Sequence, residues 1–177
     1  MMPLVDTVME DPRWEGMLPP LADGAARATL EALSLDSGRF EIVVMGCDDA
    51  RIATLNAEFR GKPVATNVLS WPSEDRAADA PGGMPRLPQG QAAHSGELGD
   101  IAISYDSCAR EAAEQGKSMD DHVTHLIVHA VLHLLGYDHA EDADAALMED
   151  TEIRVLAKLG VTNPYSCAQR PAVPAAG

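Results

Sequence analysis

Four of the chain's histidines, His122, His125, His129 and His133, recur every three or four residues, and His139 follows six positions later. Four-residue spacing puts His129 and His133 within about 40° of each other on one helix face. Two imidazoles so placed can converge on one metal ion, and a third donor must come from elsewhere. Gly136 lets the chain leave the helix and turn back, which brings in His139. Three neutral nitrogen donors suit a single zinc ion per chain. They leave the ion positive, with an open position for water whose pKa falls toward about 7. An open position belongs to a catalytic site rather than a structural one. His125, one turn before His129, can support the site from behind or simply pack. Asp138 can hold the outer nitrogen of a ligand ring or serve the turn. His122 reads as an ordinary first-turn residue, and His94 is not expected to bind metal.

The string from His129 to His139 has the H-x-x-x-H-x-x-G-x-x-H spacing of the metzincin zinc proteases. Those enzymes carry a glutamate directly after the first ligand as base for the attacking water. Here Ala130 stands there, and a methyl group takes no proton, so peptide hydrolysis by that route is disfavoured. A second cluster lies upstream: Leu55-Asn56-Ala57-Glu58-Phe59-Arg60-Gly61-Lys62, then Thr66-Asn67-Val68-Leu69-Ser70-Trp71-Pro72. Arg60 sits at a helix end, where a cation suits the dipole. Alternatively it holds a phosphate through its bidentate fork.

The segments LNAEFRGK, ATNVLSWP, GELGDIAIS, EAAEQGKS and HLIVHAVLHLLGYDH, with the Met148-Glu149 to Glu152 region, run in order over residues 55–160. Together they resemble the YbeY family of bacterial endoribonucleases, the rRNA maturation factors. The resemblance implies one zinc on His129, His133 and His139, and an essential arginine at Arg60. It implies a single-strand-specific metallo-endoribonuclease acting in maturation of the 16S rRNA 3′ end and in late ribosome quality control. Its partners would be single-stranded RNA, the 16S rRNA precursor, and the small ribosomal subunit or its proteins. The implied fold is a small mixed sheet packed with helices, zincin-like and so related to metalloproteases. The sequence departs from the family pattern at Ala130 (usually Gly), at Ala65 (commonly Pro) and at Trp71 (often Phe). The segment 73–95 is also longer than usual. None of these touches a ligand. Two rivals compete with this reading: a peptidase or amidohydrolase with a relocated base, and a non-enzymatic ribosome-assembly factor whose zinc is structural.

The surrounding elements follow from periodicity. Strands are expected over Leu4 to Met9, Phe40 to Met45, Val68 to Trp71 and Leu98 to Ile103. Helices are expected from Pro19-Pro20 to Leu33 and from Asp48 or Asp49 through Ala57, the latter with Ile52, Leu55 and Phe59 inward. Others are expected from Asp106 to Gln115, from the Ser118 cap to Leu135, and from Ala143 to Leu159. The last should bury Leu147, Met148, Ile153, Leu156 and Leu159. Residues 73–95, rich in Pro, Gly, Ala and Gln, read as a long loop, either a tolerated insertion or a flap over a cleft. The expected fold class is α+β, a single domain over residues 1–162 with a flexible tail at 163–177.

Composition bounds the rest. At 46% apolar residues the chain should fold, and its three widely spaced cysteines argue against a disulfide framework and for a reducing compartment. No stretch approaches the roughly 18 apolar residues a membrane span needs, and a cytoplasmic protein without membrane contact is expected. The net charge of −15 disfavours polyanions at long range. Residues 51–117, however, hold seven bases against nine acids, so an anionic ligand should meet the middle of the chain.

Overall fold

The computed structural model describes residues 4–73, 97–138 and 141–165. Four strands form one mixed sheet: β1 (Val5–Met9), β2 (Glu41–Cys47), β3 (Val68–Pro72) and β4 (Glu97–Ser104), in the order β1-β2-β4-β3. The first two pairings are parallel and β3 runs antiparallel to β4, with Val68 opposite Ile103 and Trp71 opposite Asp100. Five helices accompany it: α1 (Leu18–Ala32), α2 (Asp49–Arg60), α3 (Tyr105–Gln115), α4 (Met119–Leu134) and α5 (Asp142–Lys158). The architecture is α+β, as the interleaved patterns predict.

Alternation along the strands divides the core unequally. Leu4, Ile42, Val44, Ile101 and Ile103 join α1, α4 and α5 in the larger apolar cluster. Cys47, Leu69 and Ala102 join Ile52 and Leu55 of α2 in a smaller one. Ten residues of α4 are buried, so it runs through the interior rather than over it, with its histidine side left facing a cleft. Its start is capped by the Ser118 hydroxyl, which accepts the Asp121 N–H at 3.0 Å.

Three expectations need correction. Phe59 was expected inward, but it is 61% exposed. It shares a stripe with Ile52 and Leu55, yet it lies at the last turn of α2, where its ring meets Trp71 of the edge strand. The buried stripe of α5 is Met148, Thr151, Glu152, Val155 and Leu156, rotated from the expected one; Leu147, Ile153 and Leu159 are only half-buried. The flexible tail expected at 163–177 is corrected at its start alone, where Tyr165 is bound to Glu152 through its hydroxyl; residues 166–177 lie outside the described residues. Of the long loop only Ser73 lies among the described residues, so neither reading of residues 73–95 gains support.

Gly99 sets how closely β3 approaches α4. Its φ is +143°, and an added Cβ would strike the Trp71 carbonyl oxygen and the Leu134 side chain. Gly99→Ala combines a strained backbone, about 1–3 kcal/mol, with overpacking of similar size. We expect thermal unfolding of Gly99→Ala to begin at least about 4 °C lower than wild type, at 2–4 °C per kcal/mol for a chain of this size.

Candidate functional site

The helix α4 presents His125, His129 and His133 along one side, and that side faces the edge strand β3. Between them lies a cleft of about 270 Å³, lined on the helix by His125, Leu126, His129, Ala130 and His133 and on the strand by Val68 and Ser70. Arg60, Asn67 and Tyr165 complete the described wall. Arg60 and the histidines, some 70 positions apart in the chain, thus open on one space.

The anchor of this wall is Glu152, a carboxylate with no exposed surface. It accepts hydrogen bonds from His125 Nε2 at 2.8 Å, from His129 Nδ1 at 2.9 Å, and from the Tyr165 hydroxyl at 3.1 Å. Burial by itself would raise its pKa, but the bonds from His125 and His129 win and hold it down at about 2. An ionised carboxylate only accepts, so both ring nitrogens that meet it must carry protons. For His129 this leaves Nε2 turned to the cleft, the usual arrangement of a metal-binding imidazole backed by a carboxylate. His125 spends its Nε2 on Glu152 while its Nδ1 is buried without a partner, so it supports the site rather than binding metal. The carboxylate that orients His129 is therefore Glu152. Asp138, the other orienting candidate, is exposed at the end of its described stretch.

His129 Nε2 and His133 Nε2 face each other at 3.1 Å. Two ring lone pairs that close need a proton or a cation between them. Zinc–nitrogen bonds of about 2.0–2.1 Å at a tetrahedral angle would set the two nitrogens about 3.3 Å apart. The pair fits such an ion, or another transition metal that favours imidazole. Among the described residues no set of three donors forms a metal site. His139, the third expected donor, lies outside the described residues, as does His94.

Arg60 is brought in by its helix end. Gly61 takes a left-handed conformation (φ +70°) and its N–H bonds the Ala57 carbonyl, closing α2 and turning the chain toward β3. Buried Asn56 holds the connection from beneath, its amide donating to the Val64 carbonyl at 3.0 Å. Arg60 itself is exposed, and no ion pair binds it among the described residues.

A second carboxylate link, half-buried, joins α3 to this wall. Glu111 of α3 accepts from Asn67 Nδ2 at 3.0 Å and from His122 Nε2 at 2.9 Å. Asn67 in turn offers its carbonyl to the Ser104 N–H. His122 is thus a buried structural residue rather than an ordinary first-turn one. Burial lowers its pKa, against the pull of Glu111.

The model of the family described as endoribonuclease YbeY matches residues 17–160. The chain belongs to that family. It is 61% identical over 167 residues to an endoribonuclease YbeY of Cereibacter sphaeroides, covering 93% of this chain and 100% of the relative. Against that of Ruegeria pomeroyi it is 58% identical, covering 92% and 98%. Identity to the Paracoccus denitrificans relative is 60%, over 91% of this chain and 89% of the other. The solution structure of TM1509 from Thermotoga maritima is similar in fold, with a TM-score of 0.55 at 18% identity and 88% of each chain covered.

Sequence reasoning missed Glu152, Tyr165, Asn56 and Glu111 as builders of the site in this YbeY family member. Only Glu152 left a signal, an acid on the apolar stripe of a helix, a place that charged residues rarely occupy unpaired. Glu152→Gln keeps the shape but sets an NH₂ donor against one of three donors. We expect zinc affinity, measured by competition with a chromogenic chelator, to fall about 10- to 100-fold. The metal-free protein should also lose about 1–3 kcal/mol of stability in urea unfolding.

Proposed function

We propose that this YbeY protein is a zinc-dependent endoribonuclease that cleaves single-stranded RNA in the cleft between α4 and β3. The reading rests on one observation above all: two imidazole nitrogens converge at 3.1 Å in a cleft that Arg60 also lines. The chain's relatives are named endoribonucleases, which supplies the substrate class. His129 and His133 would hold the ion with His139, and a relation to the zincins goes with that donor set. When bound, the ion supplies a Lewis acid that acidifies water and draws charge from a phosphoryl oxygen.

The protein's own groups do the remaining work. Arg60 offers a planar fork to the non-bridging oxygens of the scissile phosphate, where negative charge grows in the transition state. Glu152 keeps His129 in one tautomer and one orientation, so the donor pair needs no rearrangement. No Asp or Glu is among the described residues lining the cleft, and the buried oxygens of Glu152 are taken by three donors. Among the described residues no carboxylate is placed as a general base of the protease kind, which supports phosphodiester over peptide cleavage. A recessed cleft also favours a flexible strand, because a duplex is a stiff rod that bends only at a cost. From the family resemblance we extend the substrate to the 16S rRNA precursor near its 3′ end, and the partners to the small ribosomal subunit or its proteins. Among the described residues no helix is long and apolar enough to cross a membrane.

The test separates arginine from metal. Elemental analysis of untagged protein should find about one zinc per chain, lost in His133→Ala together with RNA cleavage. Arg60→Lys should keep the zinc and nearly the wild-type melting temperature, because a cation at a helix end is worth only about 0.3–1 kcal/mol. Its cleavage of single-stranded RNA should fall at least about tenfold, or roughly 1.4 kcal/mol of barrier. Equal rates for Arg60→Lys and wild type would return Arg60 to a helix-capping role.

A further inference from the structure

The exposed ring of Phe59 stands out on this surface, since a phenyl group left in water forgoes burial that the fold could have given it. It meets Trp71 edge-to-face, with ring centroids 5.3 Å apart and planes at 66°. Trp71 is half-buried over the smaller apolar cluster, so it is a fixed support for the exposed ring. Side chains alternate along β3, so Ser70 faces the cleft while Trp71, with Phe59 against it, stands on the other face of this edge strand. Phe59 directly precedes Arg60 at the end of α2, and Arg60 lines the cleft. A strand that leaves the cleft past Arg60 and crosses the edge formed by β3 therefore meets the rings.

Charge narrows what that group can be. Asp100 sits directly opposite Trp71 across the β3–β4 pair and is exposed. Opposed residues of an antiparallel pair project from the same face, so a carboxylate borders the aromatic pair. It repels a phosphate but accepts hydrogen bonds from the N–H groups of a base. An uncharged flat ring with N–H donors at its edge matches two aromatic rings beside a carboxylate.

We infer that Phe59 and Trp71 form a stacking shelf for an unpaired nucleobase of the RNA strand, next to the phosphate that Arg60 holds. This inference rests on the proposed single-stranded RNA substrate and names the part of the site that would select it. A base in a duplex is stacked and paired, and cannot lie on the shelf. Stacking on aromatic side chains is also indifferent to sequence, which suits strand selection without a strict base code. Phe59 and Trp71 act here as positioning residues; neither touches the reacting atoms.

Tryptophan fluorescence reads the shelf directly. Trp14, the chain's other tryptophan, is fully buried, so a ligand-dependent change reports Trp71. The probe is a short 2′-O-methyl single-stranded oligonucleotide, which binds without being cut, beside an abasic oligomer of equal length and charge. The native oligomer should quench the emission, and the abasic one should bind about tenfold more weakly without quenching. Phe59→Leu should lose about tenfold in affinity for the native oligomer and most of the quench. Phe59→Tyr should stay within about twofold of wild type. Phe59 is exposed, so the melting temperatures of both variants should match wild type, and the abasic comparison needs no variant at all. Equal affinity for native and abasic oligomers, or wild-type binding and quenching by Phe59→Leu, would overturn the shelf. If zinc-loaded protein cuts RNA but shows that result, the catalytic reading stands and the shelf falls. If it shows the quench and the Phe59→Leu loss but never cuts RNA, the shelf stands and the catalytic reading falls.

Discussion

A charge without solvent organises this protein. Glu152 on α5 is an ionised carboxylate with no exposed surface, and such a group is tolerable only where donors surround it. It finds two on α4, His125 and His129, and a third on the segment after α5, Tyr165. Losing any one of them would leave a buried charge partly unpaired. The packing of α5 on α4, the course of the chain to residue 165 and the tautomer of His129 are thereby tied together. Rigidity at the cleft-facing nitrogen is the consequence, because the ring cannot flip without uncovering the carboxylate.

The sheet supplies the opposite wall, and its topology explains why a cleft exists at all. An interior strand is flanked on both sides, whereas β3 is an edge strand among the described residues, antiparallel to its neighbour β4. Helix α4 passes close to it because Gly99 has no side chain to hold them apart. Helix α2 ends beyond the same edge, and its left-handed terminal glycine delivers Arg60 to the cleft. Two carboxylates, Glu152 and Glu111, then brace the histidine helix at successive points, one from α5 and one from α3.

The net charge of −15 is at odds with a polyanionic substrate only if charge is averaged over the surface. Screening confines exposed charges to about a Debye length, roughly 8 Å at physiological salt, so what a phosphate meets in the cleft is local. Arg60 is the one permanently charged side chain among the described lining residues, and the carboxylate behind the histidines, Glu152, is consumed in hydrogen bonds. Long-range repulsion should slow approach, while the contact itself remains favourable.

Much of this was legible in the chain. The i, i+4 pair His129 and His133, the helix capped by Ser118 and ended near Gly136, and the four strands all follow from periods of 3.6 and 2 and from local capping chemistry. These are properties of neighbours in sequence, and neighbours in sequence are what a one-dimensional pattern records. The family, too, was readable, because its motifs are contiguous strings. What only the tertiary structure decided is which distant groups share a space. Glu152 could be read as an odd acid on an apolar stripe, but its partners, 23 and 27 residues earlier, appear only when α5 packs on α4. Phe59 has the spacing of a core residue, and its exposure follows from β3 being the edge of the sheet, a fact of strand order that no local pattern encodes. Arg60 had two readings in the sequence, helix-end cation and phosphate grip. The fold made them one place, since the end of α2 and the wall of the cleft coincide.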